Sequence, residues 1–174
     1  CTTPLVLPPS VIGFYLLVMF SPTGIIGKFT TLFGIGTLSF TFSGLVIASV
    51  IYSLPFVLQP IQTIYKQIGR RPLETALMLG ASPTKAFIKG ILPQAKNGII
   101  SAALLGFAHT VGEFGIVLMI GGNITGKTQV VSIQIYNHVE AFEYHNANSL
   151  ALIMLSFGFT TLFVTYCLQI KKEK

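Results

Sequence analysis

Two ionisable side chains stand inside otherwise apolar sequence. His109 and Glu113 interrupt the run 98–122, which holds no other ionisable residue. Four positions apart, they would share one face of a helix. Counting back by fours adds Leu105, Ser101 and Asn97, a mostly polar stripe. An ionisable group at membrane depth marks a functional site by default. The competing reading is hydrogen bonding that packs a helical bundle. Both stay open for His109, Gly112, Glu113 and Phe114. A zinc site needs more ligands than this pair, and the sequence has no H-E-x-x-H, so intramembrane proteolysis is disfavoured. A carboxylate repels an anion, so Glu113 is not expected to bind one. Its replacement by Gln is expected to impair folding or gating.

A second constellation is Gly121-Gly122-Asn123-Ile124-Thr125-Gly126-Lys127-Thr128, which satisfies G-x-x-x-x-G-K-[ST]. Phosphate binding by that pattern requires a preceding strand and a following helix, so that amides cradle the phosphates. Here the segment follows a long apolar run. It reads instead as a turn between elements, at Asn123, Thr125 and Gly126. Cys1 and Cys167 lie at opposite ends and indicate neither a disulfide framework nor a metal site.

The elements that position these groups follow from composition. Of the 174 residues, 52% are hydrophobic and 9% charged, too few charges to coat a soluble globule. About 20 apolar residues make one membrane span. Four runs qualify as spans, at about 5–20, 38–61, 98–122 and 149–170. The first is short, carries Pro8-Pro9, and is read as a helix from about Pro9 that ends at Ser21-Pro22-Thr23-Gly24. Residues 25–37 are read as a connector. Pro55 interrupts the charge-free second run, where neighbours can satisfy the freed carbonyl. Residues 131–145 form a helical stretch with Ile135, Val139 and Phe142 on one face. The chain opens at Cys1-Thr2-Thr3-Pro4, directly against apolar sequence and without an initiator Met, so further N-terminal sequence is expected.

Between the second and third runs, residues 62–97 hold Lys66, Arg70, Arg71, Lys85, Lys89 and Lys96 against a single acid, Glu74. Placing this loop and the C-terminal lysines in the cytoplasm puts nine of the eleven Lys and Arg residues inside. The flipped topology contradicts the positive-inside bias. The net charge of +6 is accounted for this way, and the basic residues are not interleaved with stacking aromatics, so no nucleic-acid partner is expected. The lipid bilayer is. The loop itself reads as two short helices around a turn. Glu74 sits near a helix start after Pro72, where a carboxylate complements the N-terminus. Gly80 permits a positive-φ turn or a close backbone approach. Ser82 is placed to cap a second helix opened by Pro83.

This loop resembles the EAA loop of bacterial ABC-importer permeases. The family pattern, Glu-Ala-Ala, three residues, Gly, then Ile-x-Leu-Pro, is met at Glu74, Ala76, Gly80, Leu92 and Pro93 and departed from at Thr75 and Gly90. Two further segments are similar to the molybdate permeases: Pro4-Leu5-Val6-Leu7-Pro8-Pro9, and Gly112-Glu113-Phe114-Gly115 followed by Gly122-Asn123-Ile124-Thr125-Gly126. The resemblance covers essentially the whole chain. It implies an all-α integral membrane protein, a polytopic helical bundle of the small ABC-importer permease type, with residues 1–174 as one transmembrane domain. It implies that Glu74, Thr75, Ala76, Gly80, Ala81, Ser82, Leu92 and Pro93 belong to the loop that couples to a cytoplasmic ABC ATPase. It further implies a homodimer and a periplasmic or extracellular oxyanion-binding protein. The chain is then a non-enzymatic subunit that binds no cofactor, and ATP acts through the partner. Molybdate is the substrate so implied. Tungstate or sulfate are the alternatives, and an ion-coupled secondary transporter is a more distant one.

Overall fold

The computed structural model describes residues 7–34 and 36–170. Two positions of the expected first span, Leu5 and Val6, lie outside the described residues, as do Cys1 and the C-terminal Lys171, Lys172, Glu173 and Lys174. The described residues form helices and turns without a strand. The helices are α1 (Pro9–Phe20), α2 (Ile25–Leu32), α3 (Phe42–Ile68), α4 (Arg71–Met78), α5 (Pro83–Ala86), α6 (Leu92–Gly112), α7 (Gly115–Gly121), α8 (Val131–Glu140) and α9 (Tyr144–Ile170). A π-helical turn, Phe87–Ile91, joins α5 to α6.

Among the described residues, three stretches are long and apolar enough to cross a membrane: Pro9–Leu32, Phe42–Ile68 and Tyr144–Cys167. The pair Pro83–Gly112 and Gly115–Gly121, bent by 59° at its break, makes a fourth if the two helices are one broken span rather than a re-entrant loop. The element boundaries differ from the expected ones in instructive ways. Residues Ile25–Leu32 are helical rather than a connector, because Gly24 and Gly27 let the chain turn tightly after Phe20. A methyl group on Gly27 would stand 1.8 Å from the Ser21 carbonyl oxygen. Helix α3 starts later than Leu38: the Thr41 hydroxyl accepts the Gly44 amide at 3.1 Å and caps the N-terminus. It then runs through Pro55 and Pro60 to Ile68, well into the basic segment. Nothing breaks it until Gly69, at φ +71°. The third apolar run is not one straight span but is broken at Gly112–Gly115. The last begins at Tyr144, five residues before the apolar sequence.

The chain divides into two compact units, one comprising Cys1–Pro55 and Ala108–Gly158, the other Phe56–Phe107 and Phe159–Lys174. In the first unit, Leu16 and Phe20 of α1 pack with Ala48 and Tyr52 of α3 and with Ile116 and Ile120 of α7. Gly13 lets α1 and α7 approach closely, since a Cβ there would meet Met119 Cβ at 3.0 Å. A second cluster joins Leu45, Val117 and Ile133. In the second unit, Gly98 and Gly106 of α6 face Ile64 and Val57 of α3 in the same manner. Large apolar side chains lie exposed along α9, among them Ile153, Leu155, Phe159, Leu162 and Phe163. Such a surface is uncommon in soluble monomers, and a helix apolar on all sides suits lipid.

Candidate functional site

The basic segment builds a helical hairpin in the second unit. Helix α4 opens with Arg71 and Pro72, carries Glu74 in its first turn, and ends in a Schellman motif. The Ala81 amide donates to the Ala76 carbonyl at 3.0 Å, and the Gly80 amide to the Leu77 carbonyl at 2.9 Å. Gly80 sits at φ +80° with open space where a Cβ would be, so conformation rather than crowding calls for glycine. The Ser82 hydroxyl accepts the Lys85 amide at 3.4 Å at the start of α5. Thr75 turns its hydroxyl back to the Arg71 carbonyl. At the end of α4, Met78 and Leu79 are 88% and 83% exposed, an apolar tip flanked by exposed Glu74 and Ser82. Leu92 and Pro93 follow the π-turn and open α6.

His109 and Glu113 do not share a helix face, because α6 ends at Gly112 and Glu113 lies in the break. The His109 Nδ1 is 3.2 Å from the Ser53 hydroxyl, which is 2.8 Å from the Thr110 hydroxyl. The Tyr52 ring lies 5.3 Å from the imidazole, centroid to centroid. Glu113 is buried, and its Oε1 accepts the Ile116 amide of the first turn of α7 at 3.2 Å. Its backbone carbonyl accepts the Ser132 hydroxyl at 2.7 Å. The carboxylate thus meets the unpaired amide end of a helix that the break itself creates. The Phe114 ring lies 5.2 Å from that of Tyr136 of α8, tilted by 53°. The sequence does not place Tyr52 and Ser53 beside His109, nor Thr110 beside Ser53. The i, i+4 pair Ser49 and Ser53 in the otherwise charge-free run was the available signal.

The G-x-x-x-x-G-K-T segment spends its groups on itself. The Ile124 carbonyl takes the amides of Lys127, Thr128 and Gln129. The buried Thr128 hydroxyl donates to the Gly121 carbonyl at 2.5 Å and accepts the Ile124 amide. The segment follows α7, and its Gly122, Asn123 and Gly126 all have positive φ. These amides and this hydroxyl are committed to a tight turn, not to a phosphate. Asn123 and Asn137 exchange side-chain amide hydrogen bonds at 3.0 and 3.3 Å, tying the turn to α8. Thr125 and Gly126 remain exposed.

The expected apolar face of α8 is different in the structure. Ile133 is the fully buried residue, while Phe142 lies beyond the helix, 77% exposed, at φ +59°. It occupies the left-handed position of a second Schellman closure, in which the Glu143 amide donates to the His138 carbonyl at 2.8 Å. Glu143 also holds His138 Nδ1 at 2.7 Å and the Asn146 amide at 3.1 Å. Those hydrogen bonds, from Asn146 first and then His138, hold the Glu143 carboxyl below its ordinary value. The hydrogen bond from the Tyr136 phenol to Glu140 raises the phenol.

Long apolar helices with lipid-suited surfaces, a bend inside an apolar run and a polar helical hairpin describe a polytopic helical membrane protein. The family described as binding-protein-dependent transport system inner membrane component matches residues 1–170, and the chain belongs to that family. It is similar to the molybdenum transport system permease protein ModB of Azotobacter vinelandii, 59% identical over 94% of this chain and 72% of that protein. It is also similar to the sulfate transport system permease protein CysT of Escherichia coli, 33% identical over 95% of this chain and 60% of that protein. The probable transport system permease protein NifC of Clostridium pasteurianum is 34% identical over 79% of this chain and 48% of its own length.

Proposed function

We propose that the chain is the membrane-spanning subunit of an ABC importer that carries molybdate into the cytoplasm. The observation that carries the substrate is the 59% identity to the molybdenum permease, against 33% to 34% for the bacterial sulfate permeases CysT of Escherichia coli and Salmonella typhimurium. A separate ABC ATPase supplies the energy, and this chain holds no cofactor. Two copies form the pathway, since one bundle of this size encloses little room for a hydrated oxyanion. A periplasmic binding protein delivers substrate to the turn that includes Asn123, Thr125 and Gly126.

The hairpin supports the coupling role. Glu74, Thr75 and Ala76 build a short helix, and Gly80, Ala81 and Ser82 reverse the chain. The exposed Leu77, Met78 and Leu79 form an apolar knob for an ATPase cleft. Leu92 and Pro93 carry the movement into α6. ATP binding closes the ATPase dimer, shifts the hairpin and turns the pathway outward; hydrolysis resets it. His109, Gly112, Glu113 and Phe114 act at the broken span, where the hydrogen bonds favour packing and gating over direct substrate contact.

The test is uptake of labelled molybdate into vesicles holding the full-length chain, its ATPase and its binding protein. Uptake that needs ATP and resists excess sulfate supports the reading. Competition by sulfate at equal concentration moves the chain to the sulfate branch. Uptake without ATP overturns the ABC reading.

A further inference from the structure

The helix Pro83–Gly112 departs from α-geometry in one place before its break, at the π-turn Phe87–Ile91. A π-turn carries an extra residue per turn and is frequently found at functional sites. This one lies where α4 packs. A methyl group on Gly90 would stand 3.3 Å from the Pro72 carbonyl oxygen and 3.9 Å from the Ala76 Cβ. The missing side chain is therefore the seat on which α4 rests. The Gln94 amide donates to the Gly90 carbonyl at 2.6 Å, and so braces the turn from its C-terminal side. On the opposite end, the Phe87 ring stacks on Tyr65 of α3, with centroids 6.1 Å apart. Ala86, which precedes the turn, and Ile91, its last residue, are buried.

We propose that the π-turn Phe87–Ile91 is the joint through which α4 moves the α6 span, with Gly90 and Gln94 as its positioning residues. The proposal rests on the coupling role given to α4 above. An α-helix of uniform geometry would have to shift as a rod when α4 is displaced. A turn with one surplus residue can pass that residue along the chain, re-aiming the side chains it crosses by about 100° while the rest of the helix keeps its register. Gly90 makes the wide turn accessible, because glycine weakens the α-helical alternative. Gln94 supplies a hydrogen bond to a carbonyl that such movement would release.

The experiment uses the complete complex in proteoliposomes and counts molybdate taken up per ATP hydrolysed. Gly90→Ala narrows the seat and favours α-geometry; Gln94→Leu removes the brace. Each is expected to lower the ratio about fivefold, the scale of a modest coupling term, while assembly and ATP hydrolysis persist. A merely structural role would reduce the amount of complex and leave the ratio unchanged, and that result overturns the proposal. A measurement on the unaltered protein guards against misfolded variants. Amide hydrogen exchange across residues 83–97 is expected to differ between the nucleotide-free complex and one trapped with ATP by a hydrolysis-deficient ATPase; identical exchange overturns the joint. Met78→Lys separates the two levels. If it uncouples and the Gly90 and Gln94 variants do not, the joint alone fails. If it leaves the ratio unaltered, the coupling role of α4 fails and the joint with it.

Discussion

Replacement of Glu113 distinguishes a structural carboxylate from a substrate ligand. Its Oε1 accepts the Ile116 amide at 3.2 Å, and Ile116 is fully buried. Glu113→Ala leaves that amide without its acceptor, which costs about 1–3 kcal/mol, and the vacated volume adds to the loss. Glu113→Gln keeps a carbonyl oxygen for the amide and removes only the charge. A charge at a helix N-terminus contributes ~0.3–1 kcal/mol, and up to ~2 when partly buried. The expected order of stability is wild type, then Gln by about 1 kcal/mol, then Ala by about 2–4 kcal/mol in total. Reversible unfolding in mixed detergent micelles measures this. A Gln variant as stable as wild type, or as damaged as the Ala variant, refutes the reasoning. So does a raised KM for molybdate uptake in a Gln variant of unchanged stability, because it would place the carboxylate at the substrate.

Four further outcomes are expected. Gly80→Ala forces a side chain into the left-handed region at φ +80°, costs about 1 kcal/mol, and should lower ATP-dependent uptake more than it lowers the melting temperature. Gly27→Ala places a methyl group 1.8 Å from a backbone oxygen and should destabilise the chain by at least ~1–3 kcal/mol, read as a drop in the yield of monodisperse protein. Thr128→Val strips two hydrogen bonds from a buried turn and should cost about 2 kcal/mol without changing nucleotide binding to the isolated chain, measured with a fluorescent ATP analogue. Glu143 has a lowered carboxyl, so its contribution is present above the ordinary carboxylate value of 4.5 and is lost as pH falls through the lowered one. An acid titration of thermal stability should therefore show a smaller loss in Glu143→Gln than in wild type, and identical curves would rule out the contribution.

The apolar runs disclosed spanning helices because membrane solvation acts on composition, and composition is what a sequence displays. Boundaries were less legible. Helix α3 continues through Gln62–Ile68 because helices stop at a breaker such as Gly69, not where hydrophobicity ends. The hairpin of α4 and α5 was readable, since Pro72, Gly80, Ser82 and Pro83 each act through local backbone preferences. The break at Gly112–Gly115 was hidden because apolar sequence continues on both sides of it, although it contains two glycines and a buried acid. The partners of His109 were hidden for another reason. Ser53 is 56 positions away, and no local rule links the two. Phe142 defied its periodicity because a Schellman closure placed it outside the helix.

A carrier of dianions that keeps a buried carboxylate beside a broken span poses an electrostatic problem. At an effective dielectric of about 20, a dianion passing roughly 10 Å from a lone carboxylate meets a barrier of ~3 kcal/mol. That would slow passage about a hundredfold, at ~1.4 kcal/mol per decade. The geometry at Glu113 reduces the problem at its source. Its Oε1 is turned onto the first turn of α7, whose unpaired N–H groups carry about half a positive charge. The field at a distance is then roughly that of half a charge, and the barrier falls to ~1.5 kcal/mol. Lys and Arg are missing from the run 98–122, so no fixed cation performs this neutralisation there. A fixed cation would also bind the dianion and retain it. A carboxylate offset by backbone amides instead leaves a halved field, and the nearby hydroxyls of Ser53 and Thr110 are engaged with each other at 2.8 Å. A weakened field of this kind is compatible with a carrier that must release its anion at each turnover.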